Sequence, residues 1–342
     1  MLADKENHKV TLTDRPNGHI LVLGKSGSGK TYFLCRKIEE DLEAGKRVFI
    51  IDYSGSYTKS EMKRNSFACI SQVEMWNPFE KALVWNLRGS NAEKVIADSL
   101  IDELGIQSYY QRMLIAELTD KFVRRQEEIS ICSIMKELEM IIKIKKNEDI
   151  CKNAEHLLNR LYPYRDINIS LVKTNSIAKN FTKQIVVLEL SQYSQCSRKF
   201  LMELCVRFLW EEARVGKGWA DVLVFDEFQY MDLCEGSAVD SLLREGRKFG
   251  VSTYLSSQFL GHKGRDAREM LMQAGNIIFF HPAESEAREV ARWIDFEEPD
   301  QWRGILNKLK IGQAVIKGSY YIDKRTRVCK KPIICSVQEV TE

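Results

Sequence analysis

The chain has 342 residues, 44% hydrophobic and 29% charged, with a formal net charge of +3. That length suits one large α/β domain or two smaller ones, and a charge so near balance does not by itself argue for a nucleic-acid partner. Nine cysteines without C-x-x-C pairing and five scattered histidines argue against a disulfide framework or a zinc site and for free thiols in a reducing compartment. No apolar run approaches the ~20 residues of a membrane span. Met1 to Thr13 is polar and lacks the apolar core of a signal peptide. A soluble cytoplasmic protein without membrane insertion is expected.

An arm over 1–18 precedes the first strand. His19 to Leu23 is an apolar run that reads as a buried strand. It leads into Gly24-Lys25-Ser26-Gly27-Ser28-Gly29-Lys30-Thr31, a full match to G-x-x-x-x-G-K-[ST]. Phe33, Leu34, Ile38 and Leu42 then recur at helical spacing until Gly45 supplies a stop. Arg47 to Asp52 is a second apolar strand with an acidic end, so strand, helix and strand form a βαβ unit of a parallel sheet. Residues 19–89 make the first part of this domain.

Residues 90–183 read as an all-helical insertion. Ser90 to Glu93 and Ser108 to Gln111 both fit a capping box. Apolar stripes follow at Val95, Ile96, Leu100 and Leu104, then at Met113, Leu114, Leu118 and Phe122, and on to Leu161. The sheet pattern resumes over 184–318. Strands are expected at 184–190, 222–225, 251–257 and 276–280, with helices at 200–214 and 237–248. This alternation predicts a mostly parallel sheet with helices on both faces. Short strands are expected between Gln313 and Val337, partly in a tail over 319–342.

The glycine octapeptide predicts phosphate binding. Glycines allow φ > 0 and a close backbone approach, and amides at a helix N-terminus cradle an anion. Lys30 is placed for the β- and γ-phosphates, and the Thr31 hydroxyl is a ligand for Mg2+. Val222 to Phe225 followed by Asp226 and Glu227 fits the complementary metal-binding strand. Asp226 is expected to hold Mg2+ through water, and Glu227 to polarise an attacking water. Gln258, at the end of the next strand, is placed for the γ-phosphate or that water. Arg244 and Arg247 are three apart on a predicted helix and share a face. An arginine there can stabilise a transferring phosphoryl group, often from a neighbouring subunit. The chain lacks the N-K-x-D guanine reader of GTPases and the L-S-G-G-Q signature of ABC ATPases.

These segments resemble the HerA/FtsK superfamily of ring-forming, DNA-pumping ATPases, near its HerA and conjugative-secretion branches. The resemblance rests on Gly24 to Thr31, Val48 to Tyr57, Val222 to Glu227, Arg244 to Gly250, Ser256 to Gln258 and Gly275 to Phe279. It spans about 10–320. It implies a RecA-like P-loop fold, a homohexameric ring with ATP between subunits, and nucleic acid in the pore. By motif, Lys30, Thr31, Asp226 and Glu227 carry binding and hydrolysis, Gln258 is the sensor, and Arg247 (or Arg244) is offered to a neighbour. At 53–57 the chain has Tyr-Ser-Gly-Ser-Tyr where the family usually has His-Gly-Glu-Tyr.

The leading expectation is therefore an ATP-hydrolysing ring motor, of translocase or helicase type, that moves DNA. Gly261 to Arg265 and Ser197 to Lys199 are candidate basic DNA contacts. The alternative is an ATPase that powers or gates a protein assembly, in type IV secretion, in conjugation, or with a phage-defence effector or nuclease partner.

Overall fold

The computed structural model describes residues 2–14, 17–80, 83–87, 92–144, 147–173, 181–216, 218–258, 264–323 and 328–338. In chain order its strands are β1 (Leu2–Ala3), β2 (Lys9–Leu12), β3 (Ile20–Leu23), β4 (Val48–Asp52), β5 (Val73–Trp76), β6 (Leu83–Leu87), β7 (Ile129–Ser130), β8 (Ile169–Lys173), β9 (Ile185–Glu189), β10 (Val222–Phe225), β11 (Ser252–Ser257), β12 (Asn276–Phe280), β13 (Gln313–Gly318), β14 (Tyr320–Ile322) and β15 (Ile333–Val337). The helices are α1 (Lys30–Glu43), α2 (Lys59–Arg64), α3 (Ala92–Glu103), α4 (Tyr109–Arg124), α5 (Ile131–Ile144), α6 (Glu148–Leu161), α7 (Gln195–Arg214), α8 (Ala238–Glu245), α9 (Arg265–Leu271), α10 (Ala287–Ile294) and α11 (Pro299–Leu306).

Among the described residues one sheet has twelve strands. Its parallel part runs in the order β12-β3-β11-β10-β4-β9-β5. Beyond β12 it continues antiparallel through β13, β15, β1, β2 and β14. The 1–18 arm is thus not an appendage: β1 and β2 are ladder strands held by the C-terminal β15 and β14. β3 and β4 are parallel as expected, yet β11 and β10 stand between them. A βαβ pattern sets strand direction, not neighbours.

Each central strand is buried on both faces, as parallel sheets are. Ile20, Val22, Ile50 and Val224 face Phe33, Leu34 and Ile38 of α1. Leu21, Leu23, Phe49, Ile51 and Phe225 face α7, α8 and the insertion. α1 ends as the sequence predicts: Gly45 takes φ 78 and its amide returns to the Leu42 carbonyl at 2.9 Å.

The insertion departs from the all-helical expectation. α3 to α6 dominate it, but β7 and β8 join β6 in a separate three-stranded sheet. A two-residue strand such as β7 has no period to read. Fully buried Trp85 of β6 packs on Phe49 and Trp76, with ring centroids 5.6 and 5.0 Å apart, and so ties the small sheet to the large one. Ser108 does sit at the N-cap of α4, but its side chain makes no capping bond there. Ser90 and Asn91 of the other proposed box lie outside the described residues. No helix among the described residues is long and apolar enough to cross a membrane.

Candidate nucleotide site

The chain leaves β3 through three glycines with positive φ, Gly24 (154°), Gly27 (70°) and Gly29 (111°). Gly24 is also required sterically, and Gly29 is tight. A Cβ on Gly24 would lie 2.6 Å from the Phe280 Cβ, and one on Gly29 would lie 3.3 Å from Gly312. The Lys25 amide donates to the His281 carbonyl at 2.9 Å, so Lys25 anchors the loop to the end of β12. Ser26 and Gly27 stand exposed at the tip. Gly29 caps α1, leaving the first-turn amides without intrahelical partners.

Lys30 is buried and donates its Nζ to the carbonyls of Gly24 (2.6 Å) and Lys25 (3.0 Å). Burial lowers its pKa, against the pull of Glu227 and Asp226. The Ser28 hydroxyl is buried with no hydrogen-bond partner. A bare cradle of glycine backbone, an orphaned hydroxyl and a buried ammonium fits a phosphate chain. Thr31 lies in the first turn of α1, half-buried.

β10, between β11 and β4, delivers Asp226 and Glu227 to the same edge of the sheet. Asp226 is 4% exposed and accepts from the Ser54 hydroxyl at 2.5 Å. Burial pushes its pKa up to about 8, with Asp52 and Glu227 adding to the rise and Ser54 and Lys30 opposing it. Asp52 is fully buried and accepts the amides of Gly55, Ser56 and Tyr57 at 2.8 to 2.9 Å. Its pKa is also raised by burial, to about 6. Such a crowded set of carboxylates is relieved by a cation, so Asp226 with Thr31 fits Mg2+.

Glu227 adopts the left-handed conformation (φ 54, ψ 46), which costs a non-glycine residue ~1 kcal/mol. The strained turn aims its carboxylate at the end of β11. There Gln258 donates to one oxygen and Gln229 to the other, the latter at 2.6 Å. The Ser257 hydroxyl in turn donates to Gln229 Oε1 at 2.6 Å. The phosphate loop, Asp226, Glu227 and Gln258 therefore meet as the sequence predicts.

The sequence reading missed Gln229, Ser54, Ser257 and the Gly312 clamp on the loop. Ser54 and Ser257 lie inside segments that carry the family resemblance but had no role assigned there, and Gln229 and Gly312 fall in no motif. Only Asp52, at a strand end, carried a legible signal.

The arginines are placed differently. Arg244, at the end of α8, is ion-paired with Asp240 at 2.5 Å. Arg247 lies past α8 in a 3-10 turn, so the two do not share one helix face. Arg247 lines a cleft of about 440 Å³ with Asp14, Lys46, Asp221 and Ser252. Ser252 opens β11, and the phosphate loop sits by its far end, roughly 16 Å along the strand. Arg247 thus stands at the opposite edge of the sheet from the nucleotide cradle of its own chain.

The proposed DNA contacts also change. Ser197 is buried in the first turn of α7, and Arg198 turns inward. Its guanidinium lies 4.9 Å from the Tyr53 ring and bonds the Tyr53 carbonyl at 3.1 Å. Tyr53 stacks on Tyr230 at 4.5 Å. Lys199 remains exposed. Gly261, His262 and Lys263 lie outside the described residues.

A family profile described as the central domain of helicase HerA matches residues 7–209. No curated protein matches by sequence. Among solved structures, VirB4 of Thermoanaerobacter pseudethanolicus is similar with a TM-score of 0.69 at 14% identity, over 99% of this chain and 95% of that one. The plasmid coupling protein TrwB in complex with ADP and Mg2+ is similar with a TM-score of 0.64 at 14% identity, over 95% and 86%. The bacterial conjugative coupling protein TrwB in complex with sulphate gives 0.64 at 13% identity over the same shares. These likenesses share the RecA-like P-loop fold. Since the profile spans more than half of the sequence and includes the phosphate loop, the chain belongs to the helicase HerA central-domain family and is a P-loop ATPase.

Proposed function

We propose that this chain is the ATP-hydrolysing subunit of a homohexameric ring that translocates DNA. The observation that carries the reading is the held Glu227 carboxylate, one residue beyond Asp226 and bonded to Gln258 and Gln229. A general base must be fixed before it can take a proton from water. In this reading Gly24 to Thr31 bind the phosphates, and Lys30 leaves its loop carbonyls for the γ-phosphate. Thr31 and Asp226 would hold Mg2+, which screens the phosphate charge. Gln258 exchanges Glu227 for the γ-phosphate and so reports its presence.

Arg247 or Arg244 completes a neighbour's site. The position of Arg247 at the far edge of the sheet supports action across an interface over action within its own chain. The membership in the HerA family and the fold likeness to a conjugative coupling protein support DNA as cargo.

The test is the ATPase rate with and without duplex DNA. Stimulation that falls with added salt is the expected result. Glu227→Gln should lose turnover by about 100-fold or more while keeping ATP bound. A Glu227→Gln enzyme of wild-type rate removes Glu227 from the chemistry.

A second reading is an ATPase that powers or gates a protein assembly. Tyr109 and Tyr110 on α4, 69% and 70% exposed, favour a protein-facing surface on the insertion. An ATPase rate indifferent to DNA selects this reading.

A further inference from the structure

We propose that Ile311 is the platform on which the nucleobase of the bound nucleotide rests. The inference depends on the ATP reading of the site and adds the part of the ligand that the phosphate motifs do not address.

The turn from Leu309 to Gln313 joins α11 to β13 and meets the phosphate loop at Ser28 and Gly29. The Gly312 amide donates to the Ser28 carbonyl at 3.0 Å, and Gly312 would touch a Cβ on Gly29. The turn is fixed from several sides. Gln313 bonds Lys310 through both its amide (2.9 Å) and its side chain (3.1 Å). The Val337 amide donates to the Gly312 carbonyl at 2.8 Å. Leu306 and Leu309 are buried beneath. On this rigid turn Ile311 is 83% exposed. A lone exposed aliphatic side chain is ordinary on a protein surface; what singles out Ile311 is its place next to Gly312, which touches the phosphate loop at Ser28 and Gly29.

The direction of the ligand follows from the strand order. The hydrolytic groups Asp226, Glu227 and Gln258 belong to β10 and β11, on one side of β3. The terminal phosphate must face them. The base end of the same molecule then points to the other side of β3, where β12 and β13 lie. Among the described residues, the Leu309 to Gln313 turn reaches the phosphate loop from that side. An aliphatic side chain offers dispersion to the flat face of a base and no hydrogen bond to its edge. The ligand class is a nucleoside triphosphate gripped by its phosphates and supported by its base.

The test compares ATP with inorganic tripolyphosphate, which carries the phosphates without the base. Both are titrated calorimetrically into the full chain, as wild type and as Ile311→Ser and Ile311→Trp. Ile311→Ser should weaken ATP by about tenfold, the scale of one aliphatic contact, and leave tripolyphosphate and the melting temperature unchanged. Ile311→Trp should tighten ATP alone.

Equal weakening of both ligands would mean that Ile311 only shapes the loop, and it overturns the proposal. So does unchanged ATP affinity in both variants. A loss of oligomer in Ile311→Ser without a change in ATP affinity at the monomer overturns it in favour of a subunit contact. A wild-type chain that binds neither ligand defeats the reading of the site itself. One that binds both equally defeats only the platform.

Discussion

Replacing Asp226 by asparagine should stabilise the empty protein while destroying its function. Asp226 is 4% exposed, and burial with Asp52 and Glu227 close by raises its pKa from 3.8 to about 8. Between those values the native carboxyl keeps its proton while the unfolded one loses it. The native state then binds more protons, so stability falls as pH rises through this window, by about 1.4 kcal/mol per unit. Below pH 3.8 the group contributes nothing. Asparagine keeps the shape and can still accept from Ser54, but carries no charge. Allowing for local relaxation, the variant should gain ~2 to 4 kcal/mol at pH 8 over the wild type, and much less at pH 5.

The assay is thermal melting in chelator at several pH values. The gap should widen by a few degrees from pH 5 to pH 8. Adding Mg2+ and ATP should reverse the order, because a ligand stabilises the state that binds it. A gap that does not change with pH, or an asparagine variant less stable throughout, would refute a buried carboxyl held neutral in the empty site.

Three further outcomes follow from the geometry. Gly24→Ala places a Cβ 2.6 Å from Phe280 at φ 154; it should cost ~2 kcal/mol or more in melting and abolish ATP binding, and normal binding would show that the loop has another route. Gln229→Leu removes a donor to Glu227 and the acceptor of Ser257; kcat should fall about tenfold with ATP affinity kept, and an unchanged kcat makes Gln229 a bystander. Subunits carrying Arg247→Ala mixed with subunits carrying Lys30→Ala should show mutual rescue or poisoning of the ATPase. Simple additivity would mean that Arg247 does not act across an interface.

The local chemistry of the site was written in the sequence. A strand, three glycines and an amphipathic helix announce the phosphate cradle in one short segment, because φ > 0 and an exposed helix N-terminus are local properties. Val222 to Phe225 likewise announced a buried strand that ends in two carboxylates. The tertiary structure decided what stands opposite. It set β10 and β11 between β3 and β4, made ladder strands of the N-terminal arm, and put a small sheet into the insertion. It gave Glu227 its partner Gln229 and closed the loop with Gly312. It also carried Arg247 to the far edge. Periodicity records which face of an element is buried. Which elements become neighbours depends on packing summed over the whole sheet, and no single segment encodes that sum.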